Sequence, residues 1–278
     1  MAYVTLEGAR MYYEEHGSGQ PLIFIHGASQ DTLSWRDNIE YYGRRYKVYA
    51  IDLPGHGKSD LVGGKPCRSP DEHAAAIARF MKALDIRKPI LVGHSMGAAI
   101  SITTALNFPA DITGVIAVDG GAAFLGAAGV NYRGNVLTDA EINPGDWMET
   151  SILSVLGRTT PMARRKQMAF DCSRCSPYVQ FSDLITYTSF SFASRMHEAK
   201  VPVYYIVGED DWSTTPKICR ETAAKLESRG VKSGVWELKG VGHIPQWEQP
   251  EVFNKTLDKV LALFAQGAQS GARNGGRK

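Results

Sequence analysis

The sequence predicts an α/β fold: a mostly parallel eight-stranded sheet flanked by helices, carrying an inserted helical segment. Two observations lead there. Short runs rich in Val, Ile and Leu alternate with longer amphipathic stretches, the signature of βαβ units. One block, residues 122–195, then breaks that alternation with several helix-length apolar patterns and no clean strand. A chain of 278 residues is compatible with one such domain, since α/β proteins of this size often fold around a single sheet.

The elements follow in order. AYVTLEG and RMYYEEHG are separated by almost nothing and read as an opening antiparallel hairpin. PLIFIHG, YKVYAIDLPGHG, PILVGHS, ITGVIAVDGG, VPVYYIVGEDD and GVWELKGVGH supply six further strands. Several are continuous apolar runs, as strands covered on both faces should be. Ser69-Pro70-Asp71-Glu72 forms a capping box with Pro at the first helical position, opening a helix through Ile86. Met96–Phe108 is a second helix, closed by Pro109, and residues 216–229 and 250–265 are two more. The domain assignment is therefore a core of residues 1–121 and 196–265, a helical cap or lid over 122–195, and a Gly/Ser/Gln/Arg-rich tail over 266–278, expected to be disordered. A crossover needs about a dozen residues, far fewer than this insertion contains.

Composition narrows the function classes. Apolar residues are 44% and charged residues 22%, enough for a sizeable core. The net charge is +2, and removing Arg273, Arg277 and Lys278 of the tail leaves a body of −1. A near-neutral body lacks the electrostatic footprint of nucleic-acid binding. No run of about 18 apolar residues predicts a membrane span. The opening MAYVTLEGARMYYEE has no basic stretch leading into an apolar one, so no signal peptide is expected, and a cytoplasmic location follows. Cys67, Cys172, Cys175 and Cys219 are too few for a disulfide framework. Cys172 and Cys175 make a C-x-x-C, but no second ligand pair accompanies it, so free thiols are expected and no metal or cofactor is called for.

The chemistry is carried by Gly93-His94-Ser95-Met96-Gly97. This G-x-S-x-G follows the strand Ile90-Leu91-Val92 and opens a helix, the strand–turn–helix setting of a nucleophile elbow. Ser95 is the expected nucleophile. A hydroxyl needs a base, and His243, just beyond the last strand, is the candidate. His94 is read as packing. The base needs an orienting acid, which Gly208-Glu209-Asp210-Asp211 or Asp119 can supply. The oxyanion of a tetrahedral intermediate needs two backbone N–H donors, expected from Met96 and from Ala28 in the loop after PLIFIHG. Aromatic residues recur at helical spacing in the insertion, and Trp147, Tyr178, Phe181 and Tyr187 are expected to line the substrate pocket.

Together, Ser95, His243, the His26-Gly27 loop, the Asp52–Ser59 segment DLPGHGKS and the Gly208–Asp211 turn resemble the α/β-hydrolase superfamily, over about residues 3–265. The resemblance implies a serine esterase-like enzyme with a helical cap. It selects Asp211, the third residue after the glycine of a G-x-x-D turn, as the acid, and makes Asp52–Ser59 a structural turn beside the site. Dehalogenases and epoxide hydrolases of the superfamily carry Asp at the elbow, unlike Ser95. Gln246-Trp247-Glu248 and Phe253-Asn254 resemble the meta-cleavage C–C hydrolases, whereas His94 stands where those usually have Asn. The expectation is a carboxylic-ester hydrolase acting on a small molecule. Beside it stand C–C, lactone and thioester cleavage, and a receptor on the same fold that binds without turnover.

Overall fold

Strands β1 (Ala2–Leu6), β2 (Ala9–His16), β3 (Pro21–Ile25), β4 (Lys47–Ile51), β5 (Ile90–His94), β6 (Gly114–Val118), β7 (Val203–Gly208) and β8 (Ser233–Leu238) form one sheet. Its order is β1-β2-β4-β3-β5-β6-β7-β8 in the computed structural model, which describes residues 2–122 and 143–274. Strands β3 to β8 run parallel, and the β1–β2 hairpin joins antiparallel to β4. Leu6 pairs with Ala9, leaving the two-residue turn Glu7-Gly8. Both turn residues have positive φ, 51° and 83°, the geometry that matches the twist of a tight hairpin.

Helices α1 (Arg36–Gly43), α2 (Pro70–Ala83) and α3 (Met96–Asn107) precede the insertion. The insertion supplies α4 (Pro144–Val155), α5 (Met162–Ser173), α6 (Pro177–Ser189) and the short α7 (Phe192–Arg195). Helices α8 (Pro216–Glu227), α9 (Pro245–Glu248) and α10 (Pro250–Asn274) follow. The central strands divide their side chains between two cores, because successive residues of a strand face opposite ways. Ile23, Ile25, Leu91, Val115, Ala117, Tyr205 and Val207 pack with α2, α3 and α8. Leu22, Phe24, Val92, Ile116, Val118 and Ile206 pack with α1 and α10. That double coverage explains why these strands read as unbroken apolar runs. At α2, Ser69 caps the Glu72 N–H at 3.2 Å, while Glu72 reaches back to the Arg68 N–H at 2.7 Å, one residue earlier than a reciprocal box would.

One expectation changes. Helix α10 continues to Asn274, although a disordered tail was expected from residue 266. The stretch contains no proline, and its Ala, Gln and Arg residues favour helix enough to carry it past its glycines. The regular elements described in the insertion are all helices, joined by short turns. Residues 123–142 of the expected cap and 275–278 of the tail lie outside the described residues.

The topology places the site. Strand β3 lies between β4 and β5, so the connections leaving the sheet at β3 and β5 diverge and open a crevice at the carboxyl ends of the strands. Helices of the insertion pack on this side of the core, with Met148, Ile152, Leu156, Met168 and Cys172 clustered with Ile244 and Trp247.

Candidate active site

Ser95 sits between β5 and α3 with φ +53° and ψ −117°, a backbone conformation that L-residues seldom adopt and that marks functional sites when the surroundings hold it. The neighbours show what holds it. A Cβ at Gly93 would collide with the Gly97 carbonyl, and one at Gly97 with the carbonyls of Ile25 and His26. The Ser95 N–H donates to the Val118 carbonyl at 2.8 Å. The hydroxyl is left at the tip of the turn, and the first N–H groups of α3, starting at Met96, have no acceptor within the helix.

His243 follows β8 and brings Nε2 to 2.9 Å from Ser95 Oγ, while its Nδ1 lies 2.8 Å from Asp211 Oδ2. The other Asp211 oxygen accepts from the Ser213 N–H, the Ser213 hydroxyl and the Thr214 N–H at 2.8, 2.7 and 3.1 Å. Burial alone would depress the His243 pKa, but the charge and hydrogen bond of Asp211 outweigh it and raise it. Burial likewise works to raise Asp211, and the pairing with His243 together with its three other donors carries it below the ordinary value. The carboxylate therefore stays charged at neutral pH, as a partner for an imidazolium must.

The competing acids are placed elsewhere. Glu209 and Asp210 both pair with Arg158 at the surface. Asp119 is buried behind the site with φ +44°, and its Oδ1 accepts the Gly208 N–H at 2.8 Å. Its other oxygen receives no protein hydrogen bond. Burial, then the nearby Asp211 charge, pushes its pKa well up.

Four polar residues around the site carry more than the sequence reading gave them. His94, read as packing, has Nε2 2.7 Å from the His243 carbonyl. Because a carbonyl only accepts, the proton is on Nε2. Burial, followed by the His243 charge, lowers the pKa of His94 to about 3, so it remains neutral. Glu248 is buried and collects the N–H groups of Gly242 and Ile244 on either side of His243, at 3.1 and 2.9 Å, together with Gly157 of the cap at 2.7 Å. Gln30 accepts the Gly27 N–H at 3.0 Å. Asp183, in cap helix α6, accepts the Ser29 N–H at 2.7 Å and lies 2.9 Å from His56 Nε2. Spacing gives no signal for such long-range partners, and only the run Gly242–Glu248 offered a local one.

A cavity of about 290 Å³ lies over Ser95, lined by Ala28, Gln30, His94, Asp183, Tyr187 and Trp212 among others. Trp147 and Tyr187 are among its lining residues. Tyr178 is exposed and Phe181 half-buried, and neither lines it. The reason is helical drift: nine residues advance about 900°, which puts Tyr178 on the side of α6 opposite Tyr187. All four cysteines are free, with Cys172 and Cys219 buried, and no described helix is long and apolar enough to cross a membrane.

Comparison with known proteins agrees with this architecture. The chain is 25% identical to a 2-hydroxy-6-oxononadienedioate/2-hydroxy-6-oxononatrienedioate hydrolase of Burkholderia vietnamiensis, over 91% of each chain. It superposes on a thermophilic esterase from Thermogutta terrifontis with a TM-score of 0.84 at 18% identity, covering 95% of this chain and 99% of that one. The enol-lactonase from Burkholderia xenovorans gives 0.81 at 18% identity, covering 94% and 100%. A model of the alpha/beta hydrolase family matches residues 22–256, and with the eight-stranded sheet and its flanking helices this chain belongs to the alpha/beta hydrolase family.

Proposed function

We propose that the protein is a serine hydrolase that cleaves small uncharged carboxylic esters through an acyl-enzyme. The observation that carries this is the relay from Ser95 Oγ to His243 Nε2 at 2.9 Å and from His243 Nδ1 to Asp211 at 2.8 Å, beneath the cavity over Ser95. Ser95 Oγ attacks the ester carbonyl as His243 Nε2 takes its proton. The N–H groups of Ala28 and Met96 receive the oxyanion, each contributing roughly 3–4 kcal/mol to the barrier reduction. His243 then returns the proton to the departing alkoxide. Water repeats the sequence on the acyl group and releases the acid and free Ser95. Asp211 keeps the imidazole in the productive tautomer and balances its transient charge.

Two features favour an ester. At about 290 Å³ the cavity is at the small end of ligand pockets, which span roughly 300–1,000 Å³. Its described lining contains no Lys or Arg. The Burkholderia relative's name is that of an enzyme for a dioate, a doubly charged substrate, which a wall without cations would bind poorly. C–C cleavage is the second reading, and that relative is the observation favouring it. A screen of p-nitrophenyl esters of increasing chain length, lactones and a dienone substrate, with Ser95→Ala as control, tests the assignment. Short-chain ester turnover that Ser95→Ala abolishes is expected, whereas turnover of the dienone alone would overturn the ester reading.

A further inference from the structure

We propose that Asp183 of the cap is a positioning residue for the oxyanion loop, so that the cap completes the reactive centre as well as covering it. The inference rests on the serine hydrolase reading above. Asp183 is buried, and a single oxygen, Oδ2, takes the Ser29 N–H at 2.7 Å and faces His56 Nε2 at 2.9 Å. Ser29 is the residue after Ala28 and holds φ +59°, a conformation that costs a non-glycine residue about 1–3 kcal/mol unless its surroundings fix it.

The loop has few other restraints. Gln30 N–H closes a turn onto the Gly27 carbonyl at 3.3 Å, and the Gln30 side chain accepts the Gly27 N–H at 3.0 Å. These bonds hold the two ends of the Gly27–Gln30 turn. The peptide that joins Ala28 to Ser29 carries the Ser29 N–H, and Asp183 fixes its plane. With that plane fixed and Gly27 held, the direction of the Ala28 N–H follows.

His56 makes the acceptor dependable. Burial would lower its pKa, but the charge and hydrogen bond of Asp183 outweigh this and raise it. His56 Nδ1 lies 3.2 Å from the Pro54 carbonyl and Nε2 faces the carboxylate, so each ring nitrogen has an acceptor within reach. The DLPGHGKS segment thus holds the cap carboxylate, and the carboxylate holds the loop. Three residues far apart in sequence, Ser29, His56 and Asp183, make one latch.

An oxyanion donor acts in the transition state, so mis-aiming it lowers kcat and leaves KM nearly constant. Asp183→Ala should lower kcat roughly 10- to 100-fold, below the 10²–10³ of deleting a donor outright. Affinity for an alkyl trifluoromethyl ketone, whose adduct with Ser95 carries an oxyanion, should fall by the same factor. Asp183→Asn keeps an oxygen for the Ser29 N–H and should recover most of that loss, although it gives up the charge pair with His56 and melts earlier. If Asp183→Ala does not fold, Asp183→Glu keeps the charge but displaces the acceptor by one methylene, and should show the same fall in kcat and ketone affinity. Wild-type esterase activity that Ser95→Ala abolishes is the separate control for the hydrolase reading. The proposal is overturned if a folded Ala or Glu variant keeps wild-type kcat and ketone affinity, or if the Asn variant loses as much as Ala.

Discussion

The molecule contains two buried histidine–aspartate pairs of nearly equal geometry, His243–Asp211 at 2.8 Å and His56–Asp183 at 2.9 Å. In both, the carboxylate raises a histidine pKa that burial would otherwise lower. They differ in what the second ring nitrogen meets. For His243 it is the Ser95 hydroxyl under an open cavity; for His56 it is the Pro54 carbonyl, inside protein. A proton can leave and return to the first ring during a reaction, and the second has nowhere to send one. A His–Asp pair becomes a general base only when its far nitrogen faces a group that ionises, and otherwise it is a strut.

The comparison can be broken most directly at the rings. His243→Gln should lower kcat by about 10⁶, as loss of the base does in serine hydrolases, with the smaller loss of stability of the two because Asp211 keeps the Ser213 and Thr214 donors. His56→Gln should do the reverse. It strands a buried carboxylate and costs roughly 3–5 kcal/mol in urea unfolding, while the folded fraction loses no more activity than Asp183→Ala does, far less than His243→Gln. Equal kinetic losses would erase the distinction. Next in size is the acid. Asp211→Asn should cost about 10⁴ in kcat, whereas Asp119→Asn, which leaves the His243–Asp211 hydrogen bond in place, should cost far less.

Acidity separates the pairs more finely. In the proposed mechanism neutral His243 is the active form, so kcat/KM should rise with pH, with its midpoint above the ordinary 6.5 because the pKa is raised. Stability runs the other way. The His56 pair contributes fully below the unfolded value of 6.5, and that contribution is lost as pH rises through the higher folded value. A His56→Gln variant should lose that slope in a denaturation series and keep the rate profile. The smallest expected effects lie in the cap. Trp147→Ala should shift the preferred acyl length by enlarging the pocket, while Tyr178→Ala, on the exposed side of α6, should stay within about 0.5 kcal/mol in stability and leave the length preference unchanged.

What the sequence revealed follows the same division. The strands were legible because double coverage makes them continuous apolar runs, and Ser95 because an elbow requires glycines at fixed offsets. Glu209, Asp210 and Asp211 were separable only by family resemblance, since three adjacent acids look alike until their partners are known. The contacts of Asp183 with Ser29 and His56 span 154 and 127 positions, and no local pattern encodes a hydrogen bond of that range. Tyr178 and Phe181 were misplaced because spacing sets relative direction on a helix, whereas the helix's rotation is set by what it packs against. The end of α10 was misjudged for a related reason, because glycine content was weighed above the helix-forming residues between.

The central claim, that Ser95 is the one nucleophile and His243 its base, is tested most directly by treating the folded protein with an alkyl fluorophosphonate and mapping the adduct by peptide mass spectrometry. One adduct is expected, on the peptide containing Ser95, formed rapidly in the wild type, more slowly but clearly in His56→Gln, and almost not at all in His243→Gln. An adduct on a different serine, or labelling of Ser95 that proceeds equally well without His243, would contradict it.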